Sequence, residues 1–483
     1  METLHEQTAA FAAEGWAKVT REPSLLILRG PLGMPRALTG LANAFANESP
    51  MVVIDNAAAG VGGPEHIAKH LGMASKVVRS ARITSASDLA GAVAAAAAAA
   101  NTPPRGPVLV EISTEVAAAE TENPPASPTT DGGSVERIAG LLAGAERPVL
   151  VAGGGVYWSR AEAELTHFVE VFKLPIVMNG MGRGTVPADH ELAVVRARSL
   201  ALREADLVLV AGAPIDFRLG YGRFGEARVV HLCEDHSQVA TNVDLAGWVV
   251  GDHKHLFTAL CAAAEMRPGR TGWLERLRKE ELDRRVADQE HLQADTRPIH
   301  PLRFFGELRK RLARDAVVIG DGGDFVSYAG RYVDSFAPGC FLDPGPFGCL
   351  GIGMGYAMSA RLAHPHRQVV VLFGDGAAGF SLMELVTLIR HGLPIVAVVG
   401  NNNGWGLEKH HMQALFGYDV VADLRPGTRY DQVAQSMGAA GLFVTEPEEI
   451  GPALDRAFAS NGPVVMNMML DPAEAYPRST VLG

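Results

Sequence analysis

The sequence predicts an α/β protein built as three doubly wound parallel-sheet domains. Two observations carry this. Short β-branched runs recur along all 483 residues and alternate with longer stretches of helical period, the pattern of parallel sheets covered on both faces. Two irregular segments then divide the chain into three parts, each showing the same alternation.

The dividing segments are AETENPPASPTTDGG, residues 119–133, and the charged stretch 283–301, which ends in TRPIHP. The expected domains are therefore 1–118, 134–282 and 297–483. The chain opens on a helical pattern, METLHEQTAAFAAEGWAKVT, with His5, Glu6 and Gln7 in its first turn. The strands of the first part are SLLILRG, MVVIDN and PVLVEIS, with an alanine run at 92–100 read as a low-complexity helix. The second part has PVLVAGGG, LPIVMNG, ADLVLVAGAP and ARVVHLCE, and the third AVVIGDGG, QVVVLFGDG, LPIVAVVGNN and GPVVMNMML.

Hydrophobic residues make up 47% and charged residues 20%, the proportions of an ordinary soluble globular chain. A net charge of −11 argues against nucleic acid or an anionic membrane as partner. An anionic ligand would need a metal ion or a helix N-terminus to hold it. The cysteines Cys233, Cys261, Cys340 and Cys349 form no CxxC pair, which favours a reducing cytoplasm. The acidic start Met1-Glu2 lacks the order of a signal peptide, and no apolar run reaches the roughly 18 residues of a membrane helix.

Chemistry concentrates in QVVVLFGDGAAGFSLMELVTLIRHGLPIVAVVGNNNGWG, residues 368–406. A strand ending at Phe373 leads into a Gly374-Asp375-Gly376 turn. A helix from Phe380 to His391 should run roughly 18 Å back along the sheet, and the strand 395–400 should climb roughly 20 Å again. That returns Asp375 and Asn402 to one carboxyl rim of adjacent parallel strands, where α/β folds bind ligands. A carboxylate, an amide oxygen and loop carbonyls are hard ligands suited to Mg²⁺ with phosphate oxygens in its shell. Arg390 is the one basic side chain between Gly374 and Gly406, so metal and backbone N–H groups would hold a diphosphate. Ordinary βα turns, also rich in Gly, Asp and Asn, are the alternative on spacing alone.

GDG followed 27 positions after its aspartate by the second of paired asparagines resembles the diphosphate–Mg²⁺ motif of thiamine-diphosphate enzymes. The resemblance implies Asp375 and Asn402 as side-chain metal ligands, Gly404 as a carbonyl ligand, and Gly374, Gly376 and Ala377 as the cofactor-binding turn. LHEQTAAFAAEGWAKVT resembles the pyrimidine-domain helix that carries the family's glutamate, here Glu6. PVLVAGGGVYW and VPADHELA resemble the central domain of acetolactate-synthase-like members, and GLEKHHMQALFGYDVVADLRPGTRYD and AYPRSTVLG resemble an actinobacterial branch of them. In FGCLGIGMGYAMSA, Leu350 falls where the family places the bulky residue under the bent cofactor. The resemblance implies a pyruvate-decarboxylating carboligase, a homodimer or homotetramer, and a glutamate that activates the cofactor from an apolar cleft at a subunit interface. A 2-hydroxyacyl-CoA lyase, an oxalyl-CoA decarboxylase type enzyme and a cofactor-binding paralogue without turnover are the rivals.

Departures from the pattern fall in the first domain. The family has a βα unit before the glutamate helix, and five residues precede Glu6 here, so that unit is expected to be missing. The usual Gly-Pro-Gly turn reads GPLGMPRAL, and the substrate-facing glutamine falls in GVGGPEHIAKHLG, with His66 or Glu65 nearest. His66, Trp405 and His410 are candidate substrate contacts; for His410-His411 a surface helix turn is the alternative, for Trp405 simple packing. Arg218 could meet a nucleotide or acyl-CoA in the central domain. FAD there is possible but not expected, because Gly153-Gly154-Gly155 is also a common helix-start turn. If Glu6 has no cofactor to act on, it is a first-turn acid facing the helix dipole.

Overall fold

Each of the three parts of the chain closes around its own sheet in the computed structural model, which describes residues 1–30, 32–56, 71–85, 88–112, 119–121, 132–265 and 270–477. The first sheet holds β1 (Ser24–Arg29), β2 (Met51–Asn56), β3 (Ser80–Thr84), β4 (Pro107–Ile112) and β5 (Ala119–Thr121) in the order β1-β2-β4-β3-β5. The second holds β6 (Pro148–Ala152), β7 (Ile176–Met178), β8 (Leu207–Ala211), β9 (Arg228–Cys233) and β10 (Leu245–Val250), ordered β10-β9-β8-β6-β7. The third holds β11 (Val317–Asp321), β12 (Phe341–Leu342), β13 (Val369–Gly374), β14 (Val396–Asn401), β15 (Ala440–Val444) and β16 (Val464–Met469), ordered β12-β11-β13-β14-β16-β15. Every pairing is parallel except β3 with β5. The central strands β6, β8, β11 and β14 are buried at every position, which is why they read as continuous apolar runs.

Nine helices matter below: α1 (Glu6–Thr20), α2 (Gly33–Ala46), α3 (Leu89–Ala100), α4 (Thr271–Leu292), α5 (Gly323–Tyr332), α6 (Gly353–Ala363), α7 (Asp375–Ser381), α8 (Leu385–Arg390) and α9 (Gly406–Phe416). Helix α3 contains the alanine run. It buries Ala96 and Ala100 on the face of the first sheet that carries Val108 and Val110.

Helix α1 lies between α2 and α6 at close range. A β-carbon on Gly40 would come within 2.5 Å of the Ala10 β-carbon, and one on Gly15 within 2.8 Å of Tyr356 Cα. A buried polar network pins the crossing. Lys18 Nζ pairs with Glu14 at 3.2 Å and donates to the Tyr356 hydroxyl at 2.8 Å, and Asn43 Nδ2 donates to Glu14 at 2.8 Å. All four side chains are fully buried, so each polar atom that finds a partner removes a large desolvation penalty. The first part is also locked to the second: Arg105 binds Glu234 through two hydrogen bonds of 2.6 and 3.1 Å, out of solvent.

Three expectations need correction. Residues 119–121, read as linker, form the antiparallel edge strand β5. Residues 283–292, also read as linker, continue α4, where Arg284 and Arg285 each pair with a glutamate four residues back, at 2.5 and 2.8 Å. Such pairs support a helix too polar to show an apolar stripe. The helix after the GDG turn starts at Asp375 rather than Phe380, because Gly374 is extended and serves as N-cap, with an acid at the first helical position.

Candidate active site

Strands β13 and β14 lie side by side with Gly374 opposite Gly400, so the GDG turn and the asparagine turn emerge together at one carboxyl rim. Asp375 is 3% exposed. Its Oδ1 accepts the Gly376 N–H at 3.0 Å and its Oδ2 the Gly404 N–H at 3.1 Å. Asp375 and Gly404, 29 positions apart, are therefore joined directly. Burial raises the Asp375 carboxyl to about 6, and backbone N–H bonds offset only part of that rise.

The asparagine turn is clamped from outside. Asn401 is buried; its Nδ2 donates to Asn467 Oδ1 and to the Thr428 carbonyl, both at 3.1 Å, and its Oδ1 accepts the Asn403 N–H. Asn403 adopts a left-handed conformation, φ +59, which asparagine tolerates, and its Oδ1 accepts the Gly427 N–H. The Trp405 N–H donates to the Ala422 carbonyl at 2.8 Å. Asn402 is left half-buried, its amide beside Gly406 and near Asp324.

Leu350 and Ala377 meet over Gly322. A side chain there would run into Leu350 Cδ2, and Gly322 has φ +78, so both space and conformation demand glycine. Trp405 covers Gly376: a β-carbon on that glycine would lie 2.5 Å from the indole. His410 Nδ1 faces Asp324 Oδ2 at 3.1 Å and its Nε2 faces the Pro472 carbonyl at 3.1 Å, so both ring nitrogens are engaged within the protein.

Glu6 begins α1, is 28% exposed, and pairs with Arg36 at 3.5 Å. The adjacent Gln7 reaches toward Gly351, the neighbour of Leu350. The fold thus gathers Gly374, Asp375, Gly376, Ala377, Leu350, Asn402, Gly404 and Trp405 on one rim, sets His410 behind them, and lays the start of α1 against the Leu350 loop. His66 and Glu65 lie outside the described residues. No cluster of three or more His, Cys, Asp or Glu side chains that could hold a metal exists among the described residues, so any cation here would take one carboxylate together with amide and carbonyl oxygens.

Sequence reasoning missed Asp321. It is fully buried at the end of β11, and its two oxygens accept the Gly351 N–H at 2.9 Å and the Gly353 N–H at 2.7 Å. Burial raises this carboxyl to about 7. It fixes the loop that carries Leu350. The signal was available, because VVIGDGGD at 317–324 repeats the strand–Gly–Asp–Gly order of VVVLFGDG.

In the second part, a cavity of about 350 Å³ opens at the carboxyl ends of β6, β8 and β9. Arg218 lines it with its guanidinium held by Asp216 at 2.8 and 3.1 Å. His231 also lines it, lowered to about 4 by burial.

Comparison with known proteins decides the family. The C-terminal TPP binding domain of thiamine pyrophosphate enzymes matches residues 321–468, the central domain residues 135–260, and the N-terminal TPP binding domain residues 1–60. An acetolactate synthase large subunit of Mycobacterium tuberculosis is 46% identical over all of this chain and 91% of its own length. The chain belongs to the thiamine pyrophosphate enzymes. A 2-hydroxyacyl-CoA lyase 2 of Caenorhabditis elegans is 30% identical over 95% of the chain and 81% of its own length. An oxalyl-CoA decarboxylase of Escherichia coli is 29% identical over 97% and 87%. Within the thiamine pyrophosphate enzymes, this chain is acetolactate-synthase-like.

Proposed function

We propose that the chain decarboxylates pyruvate and ligates the product to a second 2-oxo acid, using thiamine diphosphate and Mg²⁺. The observation that carries the reading is the rim itself, where Asp375 is bonded to Gly404 and Leu350 stands over Gly322 and Ala377. The donor set suits Mg²⁺. Among the described residues no cationic side chain pairs with this buried carboxylate, raised to about 6, and each of its oxygens keeps a lone pair after accepting one N–H.

Asp375, Asn402 and the Gly404 carbonyl hold the metal, and Gly374, Gly376 and Ala377 line the diphosphate with backbone. Leu350, whose seat requires glycine at 322, would pack against the cofactor. Bound thiamine diphosphate supplies the electron sink for decarboxylation. Glu6 supplies the acid that hydrogen-bonds the pyrimidine, and Trp405 and His410 border the substrate side. The reading takes domain limits of 1–118, 134–282 and 297–483, a homodimer or homotetramer, and a cytoplasmic protein. No helix among the described residues is long and apolar enough to cross a membrane.

The Glu6–Arg36 pair favours a second reading, a chain that binds the cofactor without turnover, since a paired and part-exposed acid is already satisfied. Calorimetric titration with thiamine diphosphate and Mg²⁺, then a pyruvate assay, tests both. Binding with carboligation is expected, and Glu6→Gln should keep the binding and lose the turnover. Binding without turnover in the parent selects the second reading. Turnover of a 2-hydroxyacyl-CoA or oxalyl-CoA in place of pyruvate reassigns the substrate.

A further inference from the structure

Glu384 is a buried carboxylate that none of the roles above uses. It is 3% exposed and lies between α7 and α8, nine positions after Asp375. Its Oε1 accepts the backbone N–H groups of Leu4 at 2.8 Å and His5 at 3.1 Å, from the opposite end of the chain. Its Oε2 accepts the Thr387 hydroxyl at 2.8 Å, which fixes the carboxylate's orientation. The His5 ring accepts the Gln7 N–H at 3.1 Å, and Arg390, on α8, donates to the Glu2 carbonyl at 2.5 Å.

The first N–H groups of a helix, and those just ahead of it, have no partner within the helix and must find one elsewhere. Here a charged acceptor from the third domain takes two of them, and its negative charge faces the positive end of the α1 dipole. The residue that follows this cap is Glu6. The Glu6 side chain itself pairs, among the described residues, with a half-exposed arginine, Arg36, at 3.5 Å.

We propose that Glu384 is a positioning residue: it caps α1 from the diphosphate-binding domain and so sets where Glu6 stands relative to the rim of Asp375. The inference rests on the reading of Glu6 as the cofactor-activating acid. It couples the two halves of the site through one carboxylate, since the strand–turn–helix segment that presents Asp375 also presents the cap for α1.

The test compares the parent with Glu384→Ala and Glu384→Gln in the full chain. Amide hydrogen exchange at residues 4–8 should quicken by about tenfold or more in Glu384→Ala, the loss expected when a charge-assisted hydrogen bond is removed. Affinity for thiamine diphosphate with Mg²⁺, read by calorimetry, should stay unchanged because Asp375, Asn402 and Gly404 are untouched. With pyruvate, kcat should fall while KM holds. Glu384→Gln keeps an oxygen in the accepting position and should recover most of both effects. Unaltered amide exchange in Glu384→Ala overturns the proposal, as does quickened exchange with full kcat. A fall in cofactor affinity matching the fall in kcat also overturns it, by reducing Glu384 to support for α7. Where Glu384→Ala does not fold, Thr387→Val, which releases the carboxylate's second oxygen, should show the same pattern at smaller size, and its absence there is equally decisive. A parent without turnover sinks the Glu6 reading, and the exchange measurement then decides the cap alone.

Discussion

Asp375 and Asp321 are both buried carboxylates at the ends of neighbouring strands, yet they differ in what surrounds them. Asp375 faces the half-exposed Asn402 turn, and a cation brought there relieves its burial. Asp375→Ala is expected to abolish Mg²⁺-dependent binding of thiamine diphosphate without unfolding the chain; calorimetry showing unchanged affinity refutes the metal assignment. Asp321 is enclosed by the Gly351–Gly353 loop. Its rise from the ordinary 3.8 to about 7 means the native state binds this proton more tightly than the unfolded chain does. The stability it lends is therefore complete below about pH 4 and is lost as pH climbs through about 7, a swing of about 4 kcal/mol. Asp321→Asn cannot titrate, so the difference between parent and variant in denaturant stability should shrink steadily from pH 4 to pH 7. A difference that stays constant over that range refutes the assignment.

At the scale of elements, α1 is held by close packing as much as by its cap. Gly40→Ala pushes a β-carbon against Ala10, and overpacking of this kind costs about 1–3 kcal/mol, more than the roughly 1 kcal/mol that alanine gains in helix propensity. Gly140, in the helix Gly132–Gly144, has no neighbour within 4 Å, so Gly140→Ala should instead raise the melting temperature slightly. Opposite signs for these two variants in one thermal series are the expected result; equal signs would show that α1 does not pack on α2 as described. The long apolar strands and the opening helix were legible because burial on both faces and helical period leave local marks. Strands β3, β5, β10, β12 and β15 left none strong enough: they are short or lie toward sheet edges, and tertiary pairing rather than composition makes them strands.

Across the whole molecule, the three parts meet directly, the first on the third through α1 and on the second through an ion pair. That pair is Arg105–Glu234, and the 350 Å³ cavity opens beside the junction, lined by Glu48 and Gln238. Its size is at the low end of the roughly 300–1,000 Å³ typical of cofactor pockets. Among the lining residues Arg218 is held by Asp216, His231 is kept neutral, and burial pushes the Glu48 carboxyl above its ordinary range. That leaves little positive charge for the phosphates of a dinucleotide, and the purified chain is expected to carry no flavin. A yellow protein with flavin absorbance refutes this.

The sequence by itself determined the α/β class, the three-part division and the shared rim of Asp375 and Asn402. Each of these is written in local order: apolar runs at strand length, and glycine, aspartate and asparagine at strand ends, 27 positions apart. Only the tertiary structure decided that Asp375 bonds Gly404, that Gly322 must be glycine to seat Leu350, and that Asp321 holds the Leu350 loop. It alone decided that Glu384 accepts the N–H of Leu4, 380 positions away, just ahead of α1. Those relations are set by which strands and helices come to lie side by side, and a buried carboxylate shows its partner only once the chain has excluded water from around it.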